Sequence, residues 1–130
     1  MGKHIVALFF IVTSMASGMP RAVKVNGAEW TIVRQHAIVG ERGTPYDGYT
    51  SCDKHVIRIA DDIGRCFEAV TLFHELEHAS VCNQEFEVQS MTGHQAIERL
   101  AFGMSKILAD NPKLRKYFGR SSQCSWTAAE

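Results

Sequence analysis

The sequence carries no net charge, no internal repeat, no low-complexity tract and no Cys-x-x-Cys pair. Its 14 acidic and 14 basic residues cancel, so no global field points to nucleic acid, and any such binding would have to come from a local patch. Without a repeat, solenoid and array architectures fall away. The longest apolar run, Ile5 to Val12, is too short to span a bilayer as a helix. At 130 residues, 45% hydrophobic and 22% charged, the chain has the composition of one globular domain.

The one shift in composition is at the N-terminus, "MGKHIVALFFIVTSMASG". Two readings of residues 1–18 stand. Lys3 and His4, the apolar run and the small residues Ser14, Ala16, Ser17 and Gly18 have the layout of a secretory signal peptide. Alternatively "MPRAVKVNGAEWTIV" opens a small domain at Met19, residues 1–18 are an upstream extension, and the protein stays in the cytoplasm. The cytoplasmic start is the expectation and secretion the alternative. Either way the fold is expected over residues 19–130.

Cys52, Cys66, Cys82 and Cys124 form an even set. Two disulfides are allowed outside the cell, but four cysteines permit three pairings and the spacings match no known framework. Cys82, at the end of an apolar helix face, reads as a small buried hydrophobe.

From Met19 the pattern is strand-like, then helical. "AVKV" and "EWTIV" flank Asn26-Gly27, a strong hairpin signal, so an antiparallel hairpin is expected over Ala22 to Val33. "ERGTPYDGYTSCD" reads as a surface loop. "HVIRIA", His55 to Ala60, alternates as a short strand and is expected at a sheet edge. A helix follows from about Cys66 to Cys82, with Ala69, Leu72, Phe73, Leu76 and Ala79 toward the core. A second runs from Gly93 to about Asp110 on a stripe including Ile97, Leu100, Met104 and Ile107. Asn111-Pro112 breaks it, and Pro112 suits the first turn of a basic last helix.

The chemistry lies in "LFHELEHAS", Leu72 to Ser80. His74 and His78 are one helical turn apart, so both rings can reach one point in space, while Glu75 sits about 100° further round. Glu77 is expected to point away. Three polar groups in an apolar run cost roughly a few kcal/mol unless something pairs with them. A zinc ion does so: two imidazoles one turn apart supply ligands at about 2.0–2.1 Å, and a catalytic site needs one further protein ligand and a water. The metal lowers that water's pKa and the adjacent glutamate takes its proton, the logic of the H-E-x-x-H arrangement. His36 and His55, standing alone, read as packing or surface residues.

"TLFHELEHAS" followed by "AIERLAFGMSKILADNPKLRKYF" resembles the small phage- and bacteria-encoded zincins of the minimal gluzincin type, related to the ImmA/IrrE metallopeptidases. The resemblance implies an α+β, zincin-like fold: a short N-terminal antiparallel sheet, the H-E-x-x-H helix, then C-terminal helices. It implies Zn2+ held by His74, His78 and Glu98, with Glu75 as general base in peptide-bond hydrolysis. Gln84 and Val81 stand where the extended metzincin pattern has its third histidine and glycine, which favours a glutamate-liganded class. Among Glu85, Glu87, His94 and Glu98, the choice of Glu98 rests also on its place inside the second helix, at the border of an apolar stripe where a carboxylate needs a cationic partner. Glu85 and Glu87 fall in the expected connection, and His94 at a fraying helix start.

The expected partner is a peptide or protein substrate, added as a strand along His55 to Ala60. Tyr46 and Tyr49 read as loop-packing aromatics, with a second donor to transition-state charge as the alternative role of either. Two other classes remain: a non-cleaving zinc-containing regulatory or protein-binding module of phage or mobile-element origin, and a secreted disulfide-linked domain without metal.

Overall fold

The computed structural model describes residues 18–121 and Cys124; the leading segment and its two readings lie outside them, apart from Gly18. The fold is α+β, with strands first and helices after. Strands β1 (Ala22–Val25) and β2 (Ala28–Gln35) form the expected hairpin. Its two-residue turn puts Asn26 at φ 51° and Gly27 at φ 80°, the left-handed pair that such a turn demands.

Strands β3 (Ile38–Val39) and β4 (Pro45–Tyr46) make a separate two-stranded ribbon. Strands β5 (Gly48–Ser51) and β6 (Val56–Ala60) complete a four-stranded sheet in the order β1-β2-β6-β5. Three expectations are corrected here. The segment read as a loop, "ERGTPYDGYTSCD", contains β4 and β5. The strand read as an edge, His55 to Ala60, is interior: β6 pairs in parallel with β2 and antiparallel with β5. The sheet is consequently mixed rather than antiparallel. Alternation in "HVIRIA" reports that one face meets a core, and carries no information on whether both edges are paired.

One face of the sheet carries Val23, Val25, Trp30, Ile32, Ile57 and Ile59 into the core. Helix α1 (Arg65–Ser80) lies across that face and seals it with Ala69, Leu72, Leu76 and Ala79. Phe73, expected in the core, is 37% exposed and meets Phe118 edge to face. A short helix α2 (Glu85–Ser90) stands where a connection was expected. Helix α3 (Gly93–Asp110) has the expected bounds, opened by a Thr92–Gln95 capping box. Met104 and Ile107 are buried on it, whereas Ile97 is 68% exposed. A Cβ on Gly103 would come within 2.8 Å of the Ser80 Cβ, so the glycine lets α3 approach α1 closely. Helix α4 (Pro112–Ser121) buries Leu114 and Tyr117.

A polar network crosses the core boundary. The Arg34 guanidinium donates to both oxygens of buried Glu68, at 3.0 and 3.2 Å, and the Tyr117 hydroxyl donates to Glu68 at 2.9 Å. Burial, and then the bond to Glu68, push the Tyr117 phenol well above its usual pKa.

The cysteines are paired, Cys52 with Cys82 and Cys66 with Cys124, which corrects the reading of Cys82 as a plain hydrophobe. The partners are 30 and 58 residues apart in sequence, and only the packing of β5 and the post-helical segments against α1 brings them together. Among the described residues no helix is long and apolar enough to cross a membrane.

Candidate active site

The register of the sheet decides what stands beside the H-E-x-x-H turn. Ala60 N–H donates to the Asp47 carbonyl, and hydrogen-bonded pairs alternate along an antiparallel ladder. Tyr49 and Ser51 therefore bond inward to β6, while the backbone groups of Gly48 and Thr50 face the free edge of β5. The Thr50 and Gly48 positions also lie on the α1 side of the sheet. There the Thr50 hydroxyl is 2.6 Å from Glu75 Oε2 and 3.0 Å from the Glu75 carbonyl oxygen.

Glu75 is 6% exposed, held beneath the β5 edge. A Cβ on Gly48 would lie 2.8 Å from the Glu75 Cγ and Oε1 and 2.7 Å from the Thr71 methyl. Glycine at this position is what allows strand and carboxylate to fit together.

His74 and His78 project outward beside it. Their Nε2 atoms are 3.2 Å apart, with the rings crossed at 83°. Two ligands of a tetrahedral zinc, each at about 2.0–2.1 Å, stand about 3.3 Å from one another, so this donor pair fits the ion. On its far side the His78 ring has Nδ1 3.3 Å from Glu85 Oε1. A carboxylate on the second nitrogen is the usual partner of a metal-ligating histidine, because it fixes the tautomer that leaves Nε2 free to bind.

The cleft that these groups line is about 380 Å³, bounded by Tyr46, Tyr49, Thr50, His74, Glu75 and Glu85 among others. A second, more apolar cavity of about 230 Å³ lies across the histidines, toward Val81, Val88 and Leu100. Glu77 borders it along with His74 and His78.

Of the residues expected at the site, the fold brings together His74, Glu75 and His78. It does not bring Glu98 to them. The Glu98 carboxylate is 62% exposed and 3.2 Å from His94 Nε2, one turn back on α3, so an exposed imidazole is its partner. Among the described residues no three His, Cys, Asp or Glu side chains converge to hold a metal; the two imidazoles are the donors in place. His36 pairs with Asp61 at the surface and His55 stacks on Trp30 at 4.7 Å, both roles of the packing kind.

Gly48 and Thr50 were not singled out as site residues by the sequence, and Glu85, weighed there as a metal ligand and set aside, instead contacts His78 through Nδ1. A glycine between Tyr46 and Thr50 was the available signal, since a strand glycine marks close approach. The chain matches no protein-family model, and neither a curated protein nor a solved structure matches it.

Proposed function

We propose that the protein is a zinc-dependent peptidase acting on an extended peptide segment. The observation that carries this reading is the 3.2 Å separation of the His74 and His78 Nε2 atoms, with a buried carboxylate one residue away under a free strand edge. His74 and His78 would hold the zinc with one further protein ligand, which does not converge on them among the described residues, and the ion would supply Lewis acidity that lowers the pKa of water and polarises a peptide carbonyl.

The chain's own residues do the rest. Gly48 and Thr50 offer backbone donors and acceptors to a substrate strand at the β5 edge, which takes over the role expected of His55 to Ala60. This holds the scissile peptide over the His74–Glu75 turn. Thr50 engages Glu75 Oε2 and leaves Oε1 as the base. Glu75 accepts a proton from the attacking water as its oxygen bonds to the carbonyl carbon. It then returns that proton to the amine as the C–N bond breaks. Glu85 keeps the His78 tautomer fixed.

A second reading, a non-cleaving zinc-containing binding module, draws on exposed apolar side chains along α2 and α3: Phe86 at 84%, Ile97 at 68% and Phe102 at 77%. Metal analysis of the purified protein, followed by incubation with a peptide library with and without chelator, separates the two. Chelator-sensitive cleavage is expected. Stoichiometric zinc with no cleavage of any peptide would favour the binding module, and absence of zinc binding would overturn both.

A further inference from the structure

Arg58 stands on the sheet face opposite α1. It is the cross-strand partner of Tyr49, and its neighbours Ile57 and Ile59 are fully buried on the α1 side, so the alternation of the strand turns Arg58 the other way. There Arg58, Tyr46, Tyr49, Gln35 and Ile38 line a cleft of about 590 Å³. Tyr46 and Tyr49 also line the cleft that holds Glu75. The two clefts therefore meet at the tyrosines, on either side of the β5 edge.

Arg58 is half-buried, and among the described residues no hydrogen bond or ion pair engages its guanidinium. Arg34, Arg99 and Arg115 are engaged, by Glu68, by Gln84 and by helix-end carbonyls, while Arg21, Arg42, Arg65 and Arg120 are exposed to solvent, so Arg58 differs in being half-buried. Glu41 borders the same cleft, exposed and beyond ion-pairing distance of Arg58. A guanidinium held in a partly desolvated cleft with its donor fork free is matched by a carboxylate.

We infer that this cleft is an acidic-side-chain subsite for the peptide that runs along β5. In a strand added to that edge, successive side chains point to opposite faces. When one faces the Glu75 cleft, its neighbour faces Arg58, between Tyr46 and Tyr49. An Asp or Glu at that neighbouring position presents its carboxylate to the guanidinium, and its stem packs on the tyrosine rings. The inference rests on the peptidase reading for the path of the substrate chain.

The experiment uses peptides capped at both ends that carry Glu, Gln or Lys at each position flanking the scissile bond. Cleavage by the zinc-loaded protein is measured beside equilibrium binding to its Glu75→Gln variant. At one position Glu is expected to exceed Gln by about tenfold in both kcat/KM and affinity, the usual scale for a charge-assisted hydrogen bond. Arg58→Gln is expected to abolish that preference and Arg58→Lys to retain part of it, with circular dichroism reporting that both variants fold. Cleavage that ignores the acidic residue overturns the subsite and leaves the peptidase standing. Acid-selective binding lost in Arg58→Gln, with no peptide cleaved, supports the carboxylate site and overturns the peptidase. Neither cleavage nor selective binding removes both.

Discussion

The Thr50 hydroxyl lies 2.6 Å from the Glu75 carboxylate, joining the edge strand of the sheet to the H-E-x-x-H turn of α1. Glu75 is thereby fixed in orientation by a residue on a different element. Glu75→Gln is expected to keep the fold and the metal while lowering kcat by about 10²–10⁴-fold, the range of a general base. Thr50→Val is expected to lower kcat with little change in zinc content. Full activity in Glu75→Gln would falsify the assignment of the base.

Gly48 sets the room in which Glu75 sits. With a Cβ at 2.8 Å from the carboxylate, Gly48→Ala must displace either β5 or Glu75. The expected result is a loss of peptidase activity much larger than the change in melting temperature. An alanine variant with unaltered kcat would show that the close approach is irrelevant to catalysis.

Zinc affinity distinguishes Glu85 from Glu98. Glu85→Gln removes the carboxylate on His78 Nδ1 and is expected to weaken zinc binding by about 10–100-fold, as loss of such partners does. Glu98→Ala removes an exposed partner of His94 and is expected to leave affinity nearly unchanged. Titration with a competing chelator reads both, and the opposite ranking would restore Glu98 to the role the sequence suggested.

The Cys52–Cys82 bridge ties the end of β5 to the end of α1, the two walls of the Glu75 cleft. By chain entropy, closing a loop of this length contributes about 3–4 kcal/mol. Replacing both cysteines by serine is expected to lower stability by an amount of that order and to reduce activity through the loosened edge. Native protein is expected to expose no titratable thiol. Four free thiols in the purified, unreduced protein would contradict the pairing of Cys52 with Cys82 and of Cys66 with Cys124.

Tyr117 gives the fold a limit in alkali. Its pKa is raised in the folded state from the usual 10.0, so its contribution to stability is complete below that value. As pH rises past about 10 the unfolded chain releases the proton while the folded one retains it, and stability falls. Chemical denaturation between pH 8 and 11 is expected to show this decline in the native protein and a flatter one in Tyr117→Phe. Arg34→Met, which leaves buried Glu68 without its guanidinium, is expected to cost about 1–3 kcal/mol near neutrality.

The sequence by itself determined the features whose causes are local. Asn26-Gly27 dictates a hairpin turn through left-handed backbone, Pro112 starts a helix because its missing N–H is not needed there, and the one-turn spacing of His74 and His78 puts two imidazoles together on any helix. The bounds of α3, from Gly93 to Asp110, follow from the same kind of signal. Tertiary structure alone decided what depends on partners far along the chain. Parallel pairing to β2 moved β6 inside the sheet and made β5 the edge; packing of β5 on α1 joined Cys52 to Cys82 and brought Thr50 to Glu75. The rotation of α3 about its axis turned Glu98 toward solvent, and α2 brought Glu85 to His78 instead. Periodicity specifies that an element has an apolar face, whereas its neighbours and its rotation against them are set by the packing of all the elements at once.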